Sequence, residues 1–77
     1  MVLSVLPQPG GVWVGGELGA AVQIGSRFVP LHVQGEQPLR TVSGIVMSQD
    51  GALWLNDESG ILRIGPAQLQ AWLAKPE

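Results

Sequence analysis

Short apolar runs, cut by glycine and proline, organise the chain. Val2 to Leu6 is a first strand candidate, ended by the turn cluster Pro7-Gln8-Pro9-Gly10-Gly11. Val12-Trp13-Val14 follows as a run of strong β-formers and stops at Gly15-Gly16. Ala20 to Ile24 places Ala20, Val22 and Ile24 on one face of a third strand. Gly25-Ser26 suits a two-residue hairpin with glycine at its first central position. Arg27 to Val33 then alternates, with Val29, Leu31 and Val33 on one face and Pro30 and His32 on the other. Pro30 cannot donate to a ladder, so this fourth strand belongs at a sheet edge.

The second half repeats the scheme and then leaves it. Gln34 to Thr41 reads as a connecting loop with Gly35 and Pro38, and Val42 to Gln49 as the next strand. An Asp50-Gly51 turn leads into Ala52-Leu53-Trp54-Leu55, and Gly60 to Ile64 is a further strand. Ile45-Val46-Met47 and Ala52 to Leu55 are apolar on both faces, which predicts cover above and below. From Pro66 the period changes. Proline suits the first helical turn, and Leu69, Trp72 and Leu73 form one apolar stripe at i, i+3 and i+4. A short helix over 66–74 is expected where a fourth strand of the second unit would stand.

The two halves are copies. At a shift of about 41 positions, within the range of propeller blades, Trp13 falls on Trp54, Gly10 on Gly51, Glu17 on Glu58 and Gly19 on Gly60. Upstream, Val5 falls on Val46, Leu6 on Met47 and Gln8 on Gln49. After Gly19 the match reads as slipping by one residue, so that Ile24 answers Ile64. The expected fold is all-β: about two blades of a β-propeller, built as antiparallel meanders, with a short C-terminal helix. Residues 1–41 form the first blade with its connecting loop, and residues 42–77 the second, incomplete blade.

Composition narrows the function classes. The 77 residues are 45% hydrophobic and 13% charged, a globular balance, though so short a chain has a marginal core. There is no cysteine, hence no disulfide and no thiolate metal site. A net charge of −2 with four scattered basic residues offers no footprint for nucleic acid. No apolar run reaches the length of a membrane span, and Met1-Val2-Leu3 has no secretion-signal character.

The units Gly10-Gly11-Val12-Trp13-Val14-Gly15-Gly16 and Asp50-Gly51-Ala52-Leu53-Trp54-Leu55, each followed by glycine and a strand, resemble the two-component regulator propeller repeat. The resemblance spans residues 2–64. It is carried in the second copy by Leu53, Trp54, Gly60, Leu62 and Arg63, and departs where Asn56-Asp57 replace a Gly-Thr pair and where the first copy has Gln23 in place of Arg. The tail from Arg63 to Leu69 is similar to a helical insertion in late blades of such sensors. The resemblance implies a periplasmic or otherwise extracytoplasmic ligand-sensing propeller of a membrane-anchored protein. Its histidine kinase or nucleotide cyclase output would lie outside this chain.

Candidate chemistry is sparse. Trp13 and Trp54 could stack on a sugar or aromatic ligand, but their place in apolar runs favours packing between blades. Glu17, Asp57 and Glu58 are the candidate ligand-binding residues, in the loops Gly16 to Leu18 and Asn56 to Ser59; the competing reading is a solvated turn. Gly10, Trp13, Gly19, Gly51, Trp54 and Gly60 read as structural repeat positions. His32 has no metal-ligand spacing partner, and Gly15 to Gly19 has no following helix or P-loop lysine. The stripe Leu69, Trp72 and Leu73 either docks on a partner or packs on its own blade.

No serine sits in a nucleophile elbow, and no catalytic, cofactor or metal residue is assigned. The reading is therefore a non-catalytic fragment of a sensor propeller. Its partners are the remaining blades or copies of itself and an unidentified small ligand, with no contact to nucleic acid or membrane by this segment. A structural or interaction propeller, self-assembled from blade pairs, is the alternative; a propeller lyase or hydrolase is a third class that lacks clustered acid–base residues.

Overall fold

The computed structural model describes residues 1–9, 11–32 and 39–75. Two antiparallel meanders make up its sheets. The first joins β1 (Val2–Gln8), β2 (Gly11–Gly16), β3 (Gly19–Ile24) and β4 (Arg27–Pro30) in sequence order. The second joins β5 (Val42–Met47), β6 (Leu53–Asp57) and β7 (Gly60–Ile64), and α1 (Pro66–Ala74) follows. The expected all-β class and the C-terminal helix are both present.

Two local differences have plain causes. β4 ends at Pro30 instead of running to Val33, although Leu31 N–H still donates to the Ala20 carbonyl at 2.9 Å. Proline stands on the edge, as its missing N–H requires. Val33, most of the Gln34 to Thr41 loop, and Gly10 lie outside the described residues.

The ladders relocate the slip in the repeat. Trp13 pairs with Val22 and Gly16 with Gly19; 41 positions on, Trp54 pairs with Arg63 and Asp57 with Gly60. The β2–β3 and β6–β7 hairpins are therefore equivalent at one shift throughout, and no slip follows Gly19. It lies earlier. Leu6 opposes Trp13, but Val46 opposes Trp54, so β1 and β5 correspond at a shift of 40. A register irregularity recurs at that shift, between Val2 and Ser4 and between Val42 and Gly44.

The cause is turn length. Gln8 pairs with Gly11 across two residues, while Ser48 N–H bonds the Ala52 carbonyl (2.9 Å) across three. Gly51, at φ +90°, takes the left-handed position that a three-residue hairpin loop reserves for glycine.

The sheets stack, with a core formed by Trp13, Ala20, Val22 and Leu31 from the first unit and Val42, Ile45, Leu53, Leu55 and Ile64 from the second. Gly15 permits the approach: a methyl group there would stand 2.7 Å from Val42 Cγ1 and 3.2 Å from Ile45 Cδ1. Leu69 of α1 is fully buried in the same core, with Trp72 and Leu73 packed against it. The Trp72 ring lies 6.2 Å from that of Trp13, tilted by 36°. The helical stripe thus packs on the chain's own sheets, the second of the two readings expected for it.

The stacking is front to back. Trp13, 3% exposed, points from the first sheet toward the second. Trp54 has the same ladder position but lies on the face of β6 opposite Leu53 and Leu55, the residues that meet the first sheet. It is 39% exposed. Among the described residues only one face of β5 and β6 is covered by a sheet, against the expected cover on both: Val46, paired with Trp54, is 61% exposed. The reason is geometric, since one neighbouring sheet can cover only one face.

Candidate functional site

The only extended side-chain network among the described residues forms around Trp54. Trp54 Nε1 donates to Ser48 Oγ at 3.1 Å, and Ser48 Oγ donates to the Asp50 carboxylate. Ala52 N–H donates to the same carboxylate oxygen at 3.2 Å, and Arg63 donates to the other at 3.0 Å. The Arg63 guanidinium sits 5.7 Å from the Trp54 ring centroid, within cation–π range. The Ser48 hydroxyl and the Ala52 amide, then Arg63, hold the Asp50 carboxyl below the ordinary aspartate range. The three-residue turn makes this possible by placing Asp50 beside β7.

Among the described residues the first copy has no such network. At the positions of Asp50 and Arg63 it carries Pro9 and Val22, and Val22 is buried beside Trp13. Polar partners accompany the tryptophan that faces out, and apolar ones the tryptophan that faces in. On sequence, Trp54 stands with Trp13 as an aromatic candidate and Arg63 only as a residue of the repeat. The signal that could have joined them was the direct opposition of the two within one hairpin.

The three candidate ligand residues are not brought together by any shared contact. Asp57 serves its own turn, accepting from Ser59 N–H at 2.9 Å and Ser59 Oγ at 2.8 Å. Those bonds, the hydroxyl's first, lower its pKa. Glu58 pairs with Arg40 at 3.8 Å, both side chains exposed. Glu17 is exposed and lines a depression of about 250 Å³ with Met1, Val14, Leu18, Ala21 and Pro30.

Of the repeat glycines, Gly19 and Gly60 have φ of +111° and +130° at equivalent points of the two hairpins, which explains glycine at both. Gly10 lies outside the described residues. His32 is exposed. Among the described residues no group of three or more His, Cys, Asp or Glu is placed to hold a metal ion, and no helix is long and apolar enough to cross a membrane.

A second depression, about 260 Å³, opens between the helix and the first sheet, walled by Pro9, Trp13, Ile24, Leu69, Gln70 and Leu73. Trp72 Nε1 is buried nearby on the Trp13 face without a hydrogen-bond partner among the described residues. No family model, curated protein or solved structure matches the chain.

Proposed function

We propose that this chain is a two-sheet section of a β-propeller that serves as a non-catalytic, ligand-sensing module of an extracytoplasmic two-component sensor. The observation that carries the propeller reading is the shared direction of Trp13 and Trp54 through the stack. A sandwich would turn the equivalent faces of two like sheets toward each other, whereas sheets arranged around an axis present front to back. The sensor role comes from the resemblance of the Trp-centred units to the two-component regulator repeat. In this reading, loops bearing Glu17 and Glu58 occupy equivalent hairpins and fall at one end of the ring, where a ligand would meet them.

The test is the coding sequence on both sides. The sensor reading requires further Trp-centred repeats, then a membrane helix and a kinase or cyclase module. A reading frame without these overturns it. A second reading, an interaction propeller built from separate chains, is favoured by the apolar exposure on both outer faces of the stack.

A further inference from the structure

We infer that Asp50–Gly51 is a site of spontaneous isoaspartate formation, held unreactive in the folded chain by the hydrogen bonds of Ser48, Ala52 and Arg63 to the Asp50 carboxylate. It is the one Asp-Gly pair in the sequence, which has no Asn-Gly. Glycine lacks the Cβ that keeps other residues' amide nitrogens away from the preceding side chain, so such a pair cyclises readily. The inference depends on neither the propeller nor the sensor reading.

The chemistry needs only water. The Gly51 amide nitrogen attacks Asp50 Cγ. The N–Cγ bond forms as a Cγ–O bond breaks, and the amide proton leaves with the hydroxyl of the protonated carboxyl as water. The product is a cyclic succinimide, which water reopens at either carbonyl. Opening at Cγ returns aspartate. Opening at the former main-chain carbonyl gives isoaspartate, with the backbone running through Cβ and Cγ. Nothing is oxidised or reduced, and the mass is unchanged.

The fold opposes each requirement of the first step. The nucleophile is engaged, because Gly51 N–H donates to the Ser48 carbonyl at 3.0 Å. The electrophile is engaged at both oxygens: one accepts from Ser48 Oγ and from Ala52 N–H at 3.2 Å, the other from Arg63 of β7 at 3.0 Å. The same bonds keep the carboxyl ionised, whereas the neutral acid is the form that loses water. Room to rearrange is small as well, since a methyl group at Gly51 would stand 3.4 Å from Pro66 Cβ at the start of α1. The turn must therefore open before it reacts, and the opening equilibrium sets the rate.

Conversion would undo the turn that aligns the second sheet. Isoaspartate adds a main-chain carbon to the loop between Ser48 and Ala52, whose length sets the β5–β6 register. It also leaves the Asp50 carboxylate directly on Cα, a carbon too short for Ser48 and Arg63, and so frees the cation beside Trp54. The first copy carries Pro9 at this place and has no carboxyl to react.

Ageing the full chain at neutral pH tests this, with electron-transfer fragmentation of the Asp50 peptide to count isoaspartate. The samples are the folded parent, the parent unfolded in guanidinium chloride, and folded Arg63→Ala, Ser48→Ala and Val29→Ala. Circular dichroism checks folding; Arg63→Gln, Ser48→Gly and Val29→Thr replace any variant that is unfolded. Isoaspartate should accumulate in the unfolded chain and several-fold more slowly in the folded parent. Arg63→Ala should react about two- to fivefold faster than the parent, the change in opening that an exposed ion pair produces. Ser48→Ala should accelerate it too. Val29→Ala removes buried apolar atoms from β4, away from the turn, and should age as the parent does. An unfolded chain without isoaspartate overturns the inference, as does a folded parent that ages equally fast. Network variants that age at the parent's rate, or a Val29→Ala chain that matches Arg63→Ala, would show that these hydrogen bonds are not the protection.

Discussion

Trp13 and Trp54 lie directly across the ladder from Val22 and Arg63, at matching points of two equivalent hairpins, and only Trp13 is covered. The difference comes from position in the stack. The first tryptophan has a sheet in front of it and the Trp72 ring beside it; the second has Ser48, Arg63 and an open face.

The two indoles should therefore differ in their effect on stability. Trp13→Ala is expected to cost about 3–5 kcal/mol, the range for a buried tryptophan removed from a core. Trp54→Ala should cost about 1 kcal/mol or less, in line with an exposed cation–π contact. Urea unfolding of both variants checks the ratio; equal losses would contradict the assigned faces.

Gly15 and Gly44 make a second contrast. A methyl group at Gly15 meets Val42 and Ile45 across the sheet interface, so Gly15→Ala should destabilise by about 1–3 kcal/mol through overpacking. At Gly44 the nearest atom, Asn56 Cβ, is 3.7 Å away. Gly44→Ala should be neutral or stabilising by about 0.4–1 kcal/mol, through the lower entropy of the unfolded chain. Thermal unfolding of the two variants compares them directly.

Acid should weaken the second sheet's turns. Asp50 and Asp57 both have depressed pKa values in the fold, so the stability they contribute is fully present above the unfolded carboxylate pKa. It is lost as pH falls through the lower folded values. Unfolding followed from about pH 5 downward, across the ordinary aspartate range, should show a decline that Asp50→Asn makes shallower. A pH profile unchanged by that substitution would count against the Ser48–Asp50–Arg63 network.

Leu69 anchors the helix. Truncation to alanine should cost about 2–5 kcal/mol, the range for a buried leucine. It should also loosen Trp72 from Trp13, which red-shifted tryptophan emission would report. Emission unchanged in a folded variant would place the helix elsewhere.

Much of this architecture was legible in the chain because local chemistry specifies it. Pro30 set the sheet edge, Gly25 the hairpin, and Pro66 with Leu69, Trp72 and Leu73 the helix, each through a backbone or periodic constraint that acts within a few residues. What the residues did not disclose is non-local. One additional residue in the Ser48 to Ala52 turn shifts β5 against β6, and similarity of Val5 to Val46 hid that shift because both are valines on exposed faces. Likewise, an apolar run such as Ile45-Val46-Met47 states that both faces suit burial, and cannot state which of them meets the neighbouring sheet among the described residues. The acidic candidates failed to gather for a similar reason. Asp57 is consumed by its own turn and Glu58 by Arg40, pairings that spacing alone does not separate from a binding cluster.

The direction of Trp54 is tested most directly by nuclear Overhauser contacts of the indole protons in isotope-labelled protein. Trp13 should show contacts to the Trp72 ring and to Val42 or Ile45 methyls, while Trp54 shows contacts to Val46 and Arg63 and none to Leu6 or Val22. Contacts from Trp54 to Leu6 or Val22, the front of the first sheet, would mean that the sheets meet face to face and would contradict the stack.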